Sequence, residues 1–251
     1  MGLTLQHILF SVVLAIIAAA YAAVGQAGAT GYIAAMGILG FAPDVIRPAA
    51  LALNTLVAMI GTAHFARAGH LTWRGTYPFI VLGLPFSVLG GATHLPTSIY
   101  NPVVGVLLIV AAWRMAKSAR LAASLDERTP RSSPLLPSII AGAIIGFVAG
   151  VTGIGGGIFI APLVLTLHWL NTRHAAGLSA IFNLLNSAAA LAGLWSTSII
   201  WPSELPFWLV AVAIGGTLGS WLGVKHLPPN ALRYILATLL LVGGIWMLLT
   251  R

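Results

Sequence analysis

"GVTGIGGGIFIAPLVL", Gly150 to Leu165, is the stretch whose reading decides the fold. Five of its first eight residues are glycine, inside a long apolar run. A glycine in a helix interior costs roughly 1 kcal/mol relative to alanine, so five together need a reason. Gly155, Gly156 and Gly157 are consecutive and point in different directions around a helix, so they cannot serve one packing face. They mark a break. The run from Ala141 to Leu170 is also long for one straight crossing, and Pro162 interrupts it.

The rest of the chain supplies the setting. Of its 251 residues, 59% are hydrophobic and 6% charged, with a mean hydropathy of +1.00. Soluble chains carry about 25% charged residues, so no water-facing surface can be built here. The composition implies an all-α polytopic membrane protein with the lipid bilayer as its surroundings. The net charge of +8 comes from basic residues between apolar segments, which reads as topology and not as nucleic-acid binding. Cysteine is absent, which excludes disulfides, thiol chemistry and cysteine metal sites.

Apolar segments lie near 5–25, 48–66, 76–93, 101–116, 138–161, 175–196, 204–223 and 231–249, giving about eight transmembrane helices. The only polar stretch of any length is Lys117 to Pro137, a linker with three prolines. It separates a first transmembrane region, 1–116, from a second, 138–251. The apolar N-terminal run extends far beyond a signal-peptide core, so no cleavable signal pattern is present. Arg67, Arg74, Arg114, Lys117, Arg120, Arg128, Arg131 and Arg251 share one side of an eight-span chain, against Arg47, Arg173, Lys225 and Arg233 on the other. The positive-inside rule then expects a multi-pass protein of the bacterial inner membrane with linker and both termini in the cytoplasm.

Landmarks recur. "GQAGATG" at Gly25–Gly31 and "GVTGIGG" at Gly150–Gly156 both fit G-x-x-G-x-x-G. "RPAA" at Arg47–Ala50 matches "RHAA" at Arg173–Ala176, and "HLP" at His94–Pro96 matches "HLP" at His226–Pro228. Gly83, Ser87 and Gly91 match Gly215, Gly219 and Gly223. The order predicts two homologous four-helix halves, each opening with a glycine-broken helix. An even number of spans per half makes them parallel repeats. The three-member ladders, including Gly142, Gly146 and Gly150, read as close helix packing in lipid.

The first half has its own break: Leu5 to Phe41 carries no charge and is interrupted by Gly25, Gly28 and Gly31. Such breaks are tolerated in a membrane only where protein or a watery cavity meets the freed backbone groups. A plain kink is one reading. The other is a site, because N–H groups at the start of a second half-helix carry partial positive charge and bind anions. The residues expected to form it are Gln26, Gly28, Thr30 and Gly31 in the first break and Thr152, Gly153, Gly155 and Gly156 in the second. Asn54, Thr55, Ser179, Asn183 and Asn186 join them from the segments that follow. Arg47 and Arg173 begin those segments and either attract the anion or anchor at the interface, with Asp44 pairing Arg47.

The chain has four acidic residues, Asp44, Asp126, Glu127 and Glu204, none inside an apolar segment. Cation carriers place carboxylates there, so a small anion is the expected substrate. The histidines show no metal-ligand spacing, no cofactor is implied, and no nucleophile constellation suggests an enzyme. At this level a carrier of another small organic acid or solute, or a non-transporting scaffold subunit, remains an alternative.

"GFVAGVTGIGGGIFIAPLVL", Gly146 to Leu165, resembles the signature of the TauE/SafE sulfite exporter family of bacterial membrane permeases. The resemblance covers essentially the whole chain through its repeat. The first half departs from it: "GQAGATGYIAAMGILG" lacks the triple glycine and has Gly37 where the second half has Pro162. The resemblance implies transport of sulfite, organosulfonates or related sulfur-containing anions, coupled to an ion gradient. A coupling ion and a homodimer are the further partners expected.

Overall fold

The computed structural model describes residues 5–23, 25–121, 133–170, 172–195, 199–225 and 229–249. Among them are ten helices and no strand. They are α1 (Leu5–Ala23), α2 (Ala29–Ile38), α3 (Pro43–Arg67), α4 (Trp73–Ala92), α5 (Thr97–Leu121), α6 (Leu135–Thr152), α7 (Gly157–Thr166), α8 (Thr172–Leu194), α9 (Leu205–Lys225) and α10 (Pro229–Leu249). Six of them, α1, α3, α4, α5, α6 and α8, are long and apolar enough to cross a membrane. The count exceeds the expected eight because each glycine break frees a separate ten-residue helix, α2 or α7. Each set of helices flanking the linker thus holds five, not four.

The short helices turn back. Phe10 near the start of α1, Phe41 after α2 and Trp208 near the start of α9 form one aromatic cluster, with ring centroids 5.2–5.9 Å apart. The chain therefore leaves along α1 and returns along α2 to the same end. In the second set, Gly142 near the start of α6 packs on Phe79, and Trp169 after α7 stands 6.3 Å from the same ring. Sequence periodicity is identical for a helix that continues and one that returns, which is why the turn had to be found in tertiary contacts.

Close packing fixes the helix directions. Gly142, Gly146 and Gly150 of α6 lie on Phe79, Gly83 and Ser87 of α4, so these helices run parallel. Gly215 and Gly219 of α9 lie on Ala15 and Ala19 of α1, also parallel. In α3 and α8 the pairs Asn54–Ser187 and Gly61–Ala180 run in opposite order, so these helices are antiparallel. Gly105 and Ile109 of α5 face Leu248 and Gly244 of α10, again antiparallel. Corresponding helices of the two sets thus point in opposite directions. The expectation of parallel repeats is overturned, because each turned-back pair cancels its own crossing and leaves an odd number of net crossings per set. The end of α5 and the start of α6, which flank the linker, consequently lie at the end opposite the start of α1 and the end of α10. Eight simple spans would have put all four of these helix ends on one side.

The ladder glycines Gly83, Gly91, Gly142, Gly146, Gly150, Gly215 and Gly219 are the packing surfaces they were expected to be, while Gly223 lies outside the residues whose surroundings are described. A methyl group at Gly146 or Gly219 would run into the backbone carbonyl of Gly83 or Ala19. Backbone cannot step aside as a side chain can. Gly146→Ala and Gly219→Ala are expected to lower the yield of folded protein, by the 1–3 kcal/mol typical of overpacking. Size-exclusion chromatography of detergent extracts reads this as a smaller monodisperse fraction than wild type gives.

Candidate functional site

The two breaks have matching backbones. Gly25 and Gly153 both take the left-handed conformation, with φ of 77° and 82°. Gly28 and Gly156 are the N-caps of α2 and α7, with φ of 98° and 73°. Only glycine adopts these angles readily, which explains its use at both points. The structural match is Gly25 with Gly153, three residues later than the G-x-x-G-x-x-G alignment. Gly31 and Gly150, the outer glycines of those motifs, lie inside α2 and α6 and serve packing.

Each half-helix is capped by an asparagine from the long helix that follows. The N–H of Ala29 donates to Asn54 Oδ1 at 3.0 Å, and the N–H of Gly157 donates to Asn183 Oδ1 at 2.9 Å. Asn54 Nδ2 donates to Ser187 Oγ at 2.8 Å, tying α3 to α8. Ser179 Oγ donates to the Gly157 carbonyl at 2.9 Å. Gly155 sits between the two amides: a Cβ there would lie 2.5 Å from Asn54 Nδ2 and 3.0 Å from Asn183 Oδ1. Asn54, Ser179, Asn183, Asn186 and Ser187 are all buried. The sequence suggested free N–H groups at these starts, but the Ala29 and Gly157 N–H groups hold amide oxygens.

The other expected residues divide. Thr152 lies at the second break, where its hydroxyl donates to Val148 O and its carbonyl accepts from Tyr100 Oη. Thr30 shares a hydrogen bond with Tyr21 at 2.8 Å, and Tyr32 donates to the Ala27 carbonyl, closing the first break. Gln26 Oε1 and both polar atoms of the Asn186 amide are buried without a hydrogen-bond partner. Thr55 donates to Leu51 of its own helix and is not brought to the cluster.

Arg47 and Arg173 separate entirely. Arg173 is exposed at the start of α8. Arg47 is 7% exposed and donates to backbone carbonyls of Gly90, Gly91, Thr93 and Gly150. Asp44 stands 3.9 Å from His94 and makes no ion pair within 4 Å with Arg47 among the described residues, though both border one cleft and its charge acts on the guanidinium. With Asn54 matched to Asn183, the counterpart of Arg47 is Ala176, so the RPAA and RHAA motifs are out of structural register. Tyr21, Tyr32 and Tyr100 were not singled out from the sequence. Tyrosine hydroxyls inside apolar helices are the signal that could have found them.

The chain is similar to known proteins along most of its length. The model of the family described as sulfite exporter TauE/SafE matches residues 9–247. A "probable membrane transporter protein" of Sinorhizobium fredii is 49% identical over 233 residues, covering 93% of this chain and 94% of its own length. One of Methanocaldococcus jannaschii is 29% identical, over 78% of this chain and 75% of its own. Another, of Bacillus subtilis, is 22% identical over 83% and 86%. No solved structure matches the chain. A helical chain with several apolar spans, matched by that family along nearly all its length, belongs to the TauE/SafE family of membrane transporters.

Proposed function

We propose that this transporter moves a small sulfur-containing oxyanion, sulfite or an organosulfonate, bound between α3 and α8 where the N-termini of α2 and α7 converge. One observation carries the reading. Two half-helices entering from opposite ends of the molecule open on the same cluster, capped by Asn54 and Asn183. Their N-terminal ends carry about +0.5 charge each, and no carboxylate balances them within the cluster. In this conformation the asparagine oxygens take the place of the anion. Binding exchanges amide acceptors for anionic ones, which make stronger hydrogen bonds. Residues 1–116 and 138–251 form, in this reading, two inverted repeats around the site, joined by the 117–137 linker.

The helix directions also support an orientation. Among the described residues, Arg67, Arg74, Arg114, Lys117, Arg120, Arg173, Lys225 and Arg233 belong to the helix ends on the side where α5 ends and α6 begins, and Arg47 to the other side. The positive-inside rule places the linker in the cytoplasm and both termini outside. The inner membrane of a bacterium is the matching location.

Proteoliposomes preloaded with sulfite test the substrate. Labelled sulfite is expected to enter by exchange, with methanesulfonate competing and acetate not. Asn54→Ala and Asn183→Ala are each expected to lower the half-saturating sulfite concentration, because each removes the amide oxygen that competes for a half-helix N–H, and to slow exchange, because no acceptor then replaces the departing anion. Acetate exchanging as fast as sulfite would replace the sulfur anion by a general organic acid. No exchange of any anion would leave the non-transporting reading.

A further inference from the structure

Arg47 holds the two elements that end at the termini-bearing face. Its Nε and Nη2 donate to the Gly150 carbonyl at 3.2 and 2.8 Å, in the last turn of α6. Nη2 also donates to Gly90 and Gly91, in the last turn of α4, and Nη1 donates to Thr93 at 2.8 Å. No carboxylate lies within 4 Å of the guanidinium among the described residues. Its charge is met by two helix C-termini, each equivalent to about −0.5 charge, and by Asp44 farther off across the cleft. Next to it, Gly153 packs against the Arg47 backbone and Cγ, so the same residue abuts the second break. Tyr100 ties α5 to the same turn of α6.

On the opposite face the matching position is Ala176, which with Phe65 makes apolar contact with Gly25, and the His70 and His174 rings meet edge to face at 5.8 Å. The position that carries a buried cation at one end of the molecule thus carries a methyl group at the other. A narrow cleft bordered by Asp44, Arg47, His94 and Tyr100 leads to the fastened end.

We propose that Arg47 is the latch of the termini-bearing face, closed in this conformation and released by the transported oxyanion. The inference rests on the transport reading, since a latch has a use only in a protein that opens. Backbone carbonyls are neutral acceptors, and an oxyanion is a better partner for a guanidinium, which it meets in bidentate fashion. An anion entering the cleft competes for the Nη groups and frees the ends of α4 and α6 to part. Lysine would not replace arginine, because an ammonium has three donors and no planar fork to span two helix ends.

The natural absence of cysteine gives a direct test. Ile154→Cys places one thiol in the second break, behind Arg47, at a side chain only 3% exposed. Its reaction with a charged, membrane-impermeant methanethiosulfonate reagent reports opening, independently of flux. Added from the termini side, the reagent is expected to react at least ten times faster in the Arg47→Gln background, and intermediately in Arg47→Lys. From the linker side no such gain is expected. With Arg47 intact, methanesulfonate is expected to speed the reaction from the termini side relative to chloride, which needs no Arg47 variant to fold. Equal acceleration from both sides would mean general loosening and overturn the latch, as would no acceleration by either Arg47→Gln or methanesulfonate. Sulfite exchange by the Ile154→Cys protein shows separately whether the transport reading itself stands.

Discussion

Gly155→Val is expected to abolish anion exchange while leaving folded protein in the membrane. Gly155 has a φ of 84°, which a β-branched residue adopts only under strain of about 1–3 kcal/mol. A Cβ would press on Asn54 Nδ2 and Asn183 Oδ1, both ends of side chains that can swing aside. The fold absorbs that movement, but the site does not. The valine side chain fills the space between the two amides that the anion needs, and roughly a hundredfold loss of flux per folded molecule is expected. Gly219→Val meets the Ala19 backbone instead and is expected to lower folded yield, with flux per surviving molecule near normal. The pair separates site from packing: normal exchange by folded Gly155→Val would make the triple glycine a packing device.

The second large effect concerns sidedness. Single cysteines at Gly2 and Ser124 are expected to label from opposite faces in intact cells. A membrane-impermeant maleimide added outside should react with Gly2→Cys at least ten times faster than with Ser124→Cys. Lysis should make the two equal. Labelling of both from the same face would contradict the turned-back helices. Labelling of Ser124→Cys alone from outside would keep the architecture and reverse its orientation.

The chemistry of the chain was more legible in its sequence than the path of the backbone. Three adjacent glycines announce a break because no packing face can use them all. The small-residue ladders announce close helix contacts because only carbonyl-to-glycine approach rewards that spacing in lipid. Asn54 and Asn183 stood out as amides inside apolar helices. What periodicity could not carry was direction. Whether α2 continues α1 or returns beside it depends on Phe41 meeting Phe10 and Trp208, three residues from distant parts of the chain. That turn, made at both breaks, puts the start of α1 and the end of α5 at opposite ends of the molecule.

Arg47 shows a different limit. Its motif matches RHAA well enough to suggest an equivalent arginine, yet the helices align three residues out of that register. Only the three-dimensional environment separates a buried guanidinium at two helix ends from an exposed one at a helix start. Thr55 failed for a local reason, since a threonine hydroxyl in a helix has a ready acceptor one turn back, and Leu51 supplies it.

The central claim is that the two half-helix N-termini receive one oxyanion, and locating that anion tests it most directly. Selenite has the shape and charge of sulfite, and selenium scatters anomalously. In crystals of the protein soaked with selenite, the account predicts one selenium peak between α3 and α8. Its oxygens should lie within about 3.2 Å of the Ala29 and Gly157 nitrogens, with the Asn54 and Asn183 amides turned away from them. A selenium peak elsewhere, with both asparagine caps still in place, would contradict it.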